Sequence, residues 1–338
     1  MTGWQGGREN EGCRLDSSIP RLTCHPATLP PELSYVIYGK IIIDDIALLG
    51  GGAVRSMLGG GGPQAAFGAR LWSDSVGLVT RTGADLDSAQ VETLRALDVD
   101  LAGWFQFPVI PTPRYRLQYD AQEYLSGGRL MTDSEDWSRL LAQRLILPDA
   151  YRRPRAIHLI TELAREPMVE DALALGREGA VVSLEPLPVS PSGLDWERML
   201  TLIEQVEIVS PDWPTASGIA GHEDPAKVVA YWATLGPSAV AVRHGARGSY
   251  VWSRDRDEAW HIPPAPAEVV DPTGAGNAYG GGLCVGWTET RDIRRAGCYA
   301  AISASMLVRQ LGLPAMSAAV QREAQALLPR AIAAARRL

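Results

Sequence analysis

From residue 156 onward, short β-rich apolar runs alternate with longer helical stretches, and this rhythm limits the fold more than anything else in the chain. Ala156–Thr161, Ala180–Leu184, Glu207–Val209 and Ala239–Arg243 read as short buried strands. Met168–Arg177, Trp196–Glu204, Ala226–Leu235 and the Ala-rich stretch Ile293–Gln310 read as helices. Strands joined through helices pair in parallel and are covered on both faces. The expected fold class is therefore α/β, with a doubly wound, mostly parallel sheet. No 20–50-residue period repeats, so a solenoid is excluded.

The N-terminal half adds more of the same. Tyr35–Ile43 reads as a buried strand running into Asp44 and Asp45. Four consecutive glycines, Gly59–Gly62, precede Pro63 and a helix over Gln64–Leu71. Ser75–Thr82 reads as a strand and Asp87–Leu97 as a helix. Residues 103–125 differ: aromatics and prolines come first, then the alternating run Arg114–Asp120, which suits a half-buried strand in a flap or secondary sheet. Residues 1–33, rich in Gly, Pro and polar groups, read as a mobile arm or surface strap. The expected domain spans 34–332, with 333–338 as a C-terminal tail.

Composition narrows the function classes. With 338 residues, 46% of them apolar and 21% charged, the chain has ordinary globular composition. A formal charge of −7 argues against a general nucleic-acid binder. No apolar run approaches the ~20 residues of a membrane helix, and the N-terminus lacks the pattern of a secretory signal. Cys13, Cys24, Cys284 and Cys298 show no metal spacing. A reduced, cytoplasmic protein acting on a small molecule is expected.

Residues 269–282, Val-Val-Asp-Pro-Thr-Gly-Ala-Gly-Asn-Ala-Tyr-Gly-Gly-Gly, carry the chemistry. A β-rich run (Glu268–Val270) ends at Asp271, Pro272 and Thr273 turn the chain, and a helix begins near Gly274 and Gly276. The free amides and partial positive charge of a helix start suit a phosphate or oxyanion. Gly280, Gly281 and Gly282 sit inside the expected helix at about 1 kcal/mol each relative to Ala, which reads as favouring anion binding over a plain turn. A dinucleotide fingerprint is excluded, because the third-glycine spacing is absent and too little chain follows. Position 277 is Asn, which cannot ionise and so cannot be a general base.

Asp271-Pro-Thr-Gly-Ala-Gly-Asn277 resembles the C-terminal signature of the PfkB (ribokinase-like) family of carbohydrate and nucleoside kinases, with Asn277 in place of the family's catalytic Asp. Four further pieces appear in the family's order: Gly39 followed by Asp44; Gly59–Gly62 with Gln64-Ala65-Ala66; Val240–Gly248; and Ala301–Pro314. The resemblance covers roughly residues 34–332. It implies a ribokinase-like sheet with a small β lid from about 46–57 and 104–124, ATP and Mg²⁺ as cofactors, and phosphoryl transfer to a hydroxyl. Gly274, Ala275 and Gly276 would form the anion hole beside Asn277.

The resemblance also implies the remaining roles. Thr273, Arg243, Gly245, Arg247 and Gly248 would contact nucleotide, the alternative being a surface hairpin with solvated arginines. Asp212 would stand where the family organises Mg²⁺, with Thr215 in place of a Glu; a Pro-turn competes. Asp44 (Asp45 the alternate), Gly60, Gly61, Arg114, Glu162 and Asp271 would face substrate. Glu162 reads equally as a helix cap. Pro63 falls where the family usually carries a substrate-binding Asn. Two functions remain open: an ATP-dependent kinase for a small polyol, sugar or nucleoside-like molecule, and a kinase-fold protein that binds nucleotide or metabolite without turnover. A homodimer through the lid's exposed edge is expected.

Overall fold

Successive side chains of a strand point to opposite faces, and the first strand here feeds two separate cores. Tyr35 and Ile37 join one apolar cluster, while Val36 and Tyr38 join another. A computed structural model describes residues 33–47, 53–119, 125–187 and 194–338. The arm expected over 1–33 lies, apart from Leu33, outside the described residues.

The chain begins with β1 (Tyr35–Tyr38), β2 (Ile42–Ala47), β3 (Ala53–Gly59), α1 (Gly62–Arg70), β4 (Val76–Thr82), α2 (Ser88–Arg95) and β5 (Trp104–Gln106). Next come β6 (Arg114–Tyr119), β7 (Leu125–Leu130), α3 (Ser134–Leu141), β8 (Ala156–Thr161), α4 (Pro167–Arg177), β9 (Val181–Pro186), α5 (Leu194–Ile203) and β10 (Ile208–Val209). The remainder is α6 (Trp213–Ala220), α7 (Pro225–Thr234), β11 (Ala239–Arg243), β12 (Ser249–Ser253), β13 (Glu258–Ile262), α8 (Ala275–Thr290), α9 (Ile293–Leu307), α10 (Ala318–Ala334) and β14 (Arg336–Arg337).

Ten strands form one sheet in the order β14-β13-β12-β11-β10-β9-β8-β1-β4-β5. From β11 through β5 neighbours pair in parallel; β12, β13 and β14 add an antiparallel edge. Helices α1, α8 and α9 bury one face, and α4, α5 and α7 the other. Chain order reverses across β1, which has β4 on one side and β8 on the other. Such a switch point opens a crevice beyond the strands' carboxyl ends, where ligands gather in open α/β sheets. A four-stranded lid, β3-β2-β6-β7, stands beside it.

Several expectations are corrected. The run Tyr35–Ile43 is not one strand. It breaks after Tyr38, because Gly39 packs so close to α1 that a Cβ there would meet Gly62 Cα at 2.5 Å. The chain then turns into the lid, so Asp44 and Asp45 lie on lid strand β2 rather than at a core strand's end. Trp104–Gln106 pairs with β4 as the edge of the large sheet, not in the lid, whose fourth strand is Leu125–Leu130. The lid stretches over 48–52 and 120–124 lie outside the described residues. Glu268–Val270 is not a strand: the Val270 amide donates to Val308 O, and Val269 and Val270 are 48% and 49% exposed. Residues 333–338 are not a separate tail, since α10 runs to Ala334 and Arg336–Arg337 pairs with β13.

The glycines inside α8 are also reassigned. Gly281 lies so near α1 that a Cβ would overlap the Ala65 carbonyl oxygen, and one at Gly282 would overlap Ser303 of α9. One at Gly280 would sit 2.6 Å from His158 Nε2 and 3.1 Å from Glu185 Oε2. Close packing of α8 against α1, α9 and the sheet, rather than anion binding, requires this run. Replacing Gly281 with Ala is expected to cost about 1–3 kcal/mol by overpacking. Chemical denaturation of Gly281→Ala measures it, and an unchanged midpoint would contradict the close seam.

Candidate active site

The start of α8 is built to leave donors free. Gly274 caps the helix at φ 78°, a left-handed conformation that favours glycine, and no side chain caps it. Asp271, buried, accepts from the Thr273 amide at 2.9 Å and from the Gly312 amide at 3.4 Å, which braces the turn before the helix. The Ala275 amide donates to Pro272 O at 3.2 Å. Ala275 therefore drops out of the expected anion hole, which is left with Gly274 and the first-turn amides of Gly276 and Asn277. Thr273 Oγ1 is buried without a hydrogen-bond partner among the described residues.

Arg243, at the end of β11, brings a positive charge to this turn. A Cβ on Gly276 would overlap its Nη1, so the guanidinium lies directly against the loop. Its Nη1 donates to Glu185 Oε1 at 2.5 Å, and its Nε is buried and unpartnered. Arg247 is not brought in: it stays exposed, and its carbonyl faces His261 Nε2 at 2.9 Å. Gly245 is exposed in the turn that follows β11, and Gly248 packs on Ile262. Asp212 caps α6 by accepting from the Thr215 amide at 3.0 Å, and it bridges to Arg243 through the backbone. Among the described residues, no three His, Cys, Asp or Glu side chains are grouped as a metal cage. Asp212, the carboxylate expected to organise Mg²⁺, is here engaged as the cap of α6.

The opposite wall carries Gly60 and Gly61, at φ 88° and 84°. The Asn277 side chain lies against Gly61, where a Cβ would come within 2.8 Å of Nδ2 and 3.3 Å of Oδ1. Pro63 lies in the first turn of α1, where its missing N–H costs nothing. Gln64, unanticipated, is buried against Gly274 and donates to Leu58 O at 2.8 Å.

Asp44 is 2% exposed, sits against Gly59, and leaves Oδ1 without a hydrogen-bond partner among the described residues. Burial, then the charges of Asp271 and Asp45, push its carboxyl up to about 7. Asp45 instead accepts the Ser56 amide within the lid hairpin at 3.1 Å. Arg114 is exposed on the lid strand beside β2. Glu162 faces Lys40 Nζ at 3.1 Å, and the buried Lys40 also meets Glu166 at 3.4 Å. Glu162 is thus tied to a cation the sequence reading passed over.

Glu185 and His158 were missed as well. Glu185, 1% exposed at the carboxyl end of β9, accepts from Arg243 and from Asn277 Nδ2 at 3.0 Å. Burial raises its carboxyl, but Arg243 and His158 outweigh that and hold it below the usual range. The available signal was a lone acid before Pro186 at the end of an apolar run.

The arrangement can hold an anion at the start of α8 and hydrogen-bond donors of a small molecule at Asp44, with Asn277 between. Residues 34–318 match the profile of the family described as pfkB family carbohydrate kinase. The chain is 26% identical over 264 residues to a cytidine kinase of Thermococcus kodakarensis, covering 77% of this chain and 91% of that protein. An E. coli ribokinase II protein solved with ATP and Mg²⁺ superposes with a TM-score of 0.69 at 21% identity, over 88% of this chain and 99% of that one. A nucleoside kinase of Methanocaldococcus jannaschii does so at 0.62 and 17%, over 89% and 100%. These likenesses establish a ribokinase fold.

The raised carboxyl of Asp44 has a stability consequence. Its folded value lies above the unfolded one, so its contribution is complete below pH ~4 and lost as pH rises through about 7. The step from 3.8 to about 7 corresponds to roughly 4 kcal/mol. Asp44→Asn should therefore gain stability over wild type as pH climbs through that window. Denaturant titrations at several pH values check this, and parallel profiles would contradict the burial of Asp44.

Proposed function

The chain belongs to the pfkB family of carbohydrate kinases, and from that premise we propose that it transfers a phosphoryl group from ATP to a hydroxyl of a small sugar, polyol or nucleoside-like substrate. The observation that carries the reading is the pairing of open amides at Gly276 and Asn277 with the Arg243 guanidinium packed on Gly276. Phosphoryl transfer has a loose, charge-rich transition state, so positioned donors supply most of the acceleration.

ATP supplies the transferable phosphoryl group when bound, and Mg²⁺ would draw its phosphates together. Gly276, Asn277 and Arg243 receive the charge on that group. Asp44 accepts hydrogen bonds from substrate hydroxyls through its unpartnered Oδ1. The hydroxyl oxygen forms the new bond to phosphorus as the bond to the ADP oxygen breaks. The hydroxyl proton passes to Asp44, whose value of about 7 suits a proton acceptor near neutrality, or to water. Asn277, whose amide cannot ionise, orients the hydroxyl without taking its proton. The similarity to a cytidine kinase favours nucleosides on the first panel to be tried.

A second reading, a nucleotide- or metabolite-binding protein without turnover, is favoured by the same Asn277, because an amide cannot act as a base. ADP formation measured over a panel of nucleosides, sugars and polyols with MgATP separates the two. The kinase reading expects acceptor-dependent ADP release. It also expects Asp44→Asn to lower kcat/KM by about 10²–10⁴-fold and to remove an acid limb near pH 7. MgATP binding with no acceptor-dependent turnover supports the second reading, and absence of MgATP binding defeats the kinase reading and the nucleotide-binding form of the second.

A further inference from the structure

Glu185 belongs to none of the motifs, yet the charged and polar groups of three neighbouring elements converge on it. Arg243 from β11 and Asn277 from α8 share Oε1, at 2.5 and 3.0 Å. His158, wholly buried on β8, brings Nε2 to 3.8 Å from Oε2, while its Nδ1 is engaged by Ser183 Oγ at 2.9 Å. Tyr279, also on α8, lies within electrostatic reach of Arg243. Glu185 Oε2 and His158 Nε2 have no hydrogen-bond partner among the described residues.

A carboxylate paired with a guanidinium is ionised and can only accept hydrogen bonds. The Asn277 amide must therefore turn its NH₂ toward Glu185, which leaves its carbonyl Oδ1 facing away. A second carboxylate at 277 would stand one hydrogen bond from a buried negative charge, and the two could not both stay ionised. The amide at 277 and the acid at 185 thus form a matched pair.

We propose that Glu185 is the positioning residue of the phosphoryl-transfer site, holding the Asn277 NH₂ so that its carbonyl meets the acceptor hydroxyl, and holding Arg243 against Gly276 where the phosphoryl charge develops. This rests on the kinase reading and deepens it. The site tolerates one carboxylate and one amide across positions 185 and 277, in either order, and not two carboxylates.

Four full-length proteins test this: wild type, Glu185→Gln, Asn277→Asp and the double variant Glu185→Gln/Asn277→Asp. Each is measured for thermal stability between about pH 5 and about pH 8, for MgATP affinity by calorimetry, and for kcat and KM with an accepted substrate. In Asn277→Asp the shared proton raises a folded-state carboxyl above its unfolded value, so stability is lost as pH rises. Its Tm deficit against wild type should widen with pH, and MgATP should bind about tenfold or more weakly once pH is high enough to ionise the second carboxyl. The double variant conserves charge, so both effects should vanish and turnover should return to wild-type level or above. Glu185→Gln alone should lower kcat about tenfold or more with little change in KM. Identical pH–stability profiles for Asn277→Asp and the double variant would overturn the pairing. An unchanged kcat in Glu185→Gln would overturn the positioning role. If none of the four consumes ATP with any acceptor, the kinase reading and the positioning role fall together, while the stability and affinity measurements still decide whether positions 185 and 277 are paired.

Discussion

The contact between Arg243 and Glu185 holds the centre of the molecule together. A carboxylate buried to this depth is unfavourable unless a cation and hydrogen bonds compensate it. Arg243 from β11 supplies the charge, and Asn277 from α8 supplies a donor. Three elements far apart in sequence are thereby fixed at one point. Helix α8 can reach that point because its glycines let it lie on α1 and on His158 without side-chain obstruction. The start of α8 is consequently placed by packing along its length as well as by the turn that opens it.

The two walls of the crevice differ in charge. On the α8 side Arg243 and two open amides favour negative oxygens. On the lid side burial, then the charges of Asp271 and Asp45, raise the Asp44 carboxyl to about 7. In the proposed reaction the hydroxyl donors of the substrate turn toward Asp44 and the attacking oxygen toward the phosphoryl. Lys40, which would otherwise be a free cation nearby, is absorbed by Glu162 and Glu166.

Much of this was legible in the sequence, and the reasons differ by element. The parallel sheet showed because strands β8, β9 and β11 are apolar runs separated by helices, a local pattern. The break at Gly39, the pairing of β5 with β4 and the joining of β14 to β13 depend on partners distant in the chain, which local periodicity does not encode. Glu268–Val270 has strand-like residues but no neighbouring strand to pair with. In the site, Asp44, Gly61 and Asn277 were readable because motifs carry them. Glu185, His158 and Lys40 were not, because their meaning lies in contacts between residues distant in sequence: 58 residues apart for Arg243–Glu185, and past the ends of the paired strands β1 and β8 for Lys40 and Glu162. Glycine inside α8 was read as chemistry and proved to be packing.

A crystal structure with Mg²⁺ and a non-hydrolysable ATP analogue tests the central claim most directly. The terminal phosphate oxygens should lie within hydrogen-bond distance of the Gly276 and Asn277 amides, with the Arg243 guanidinium beside them and Asp44 open to the acceptor. A nucleotide whose phosphates bind elsewhere, or a loop closed over by Gln64 and Arg243 in the presence of saturating nucleotide, would contradict it.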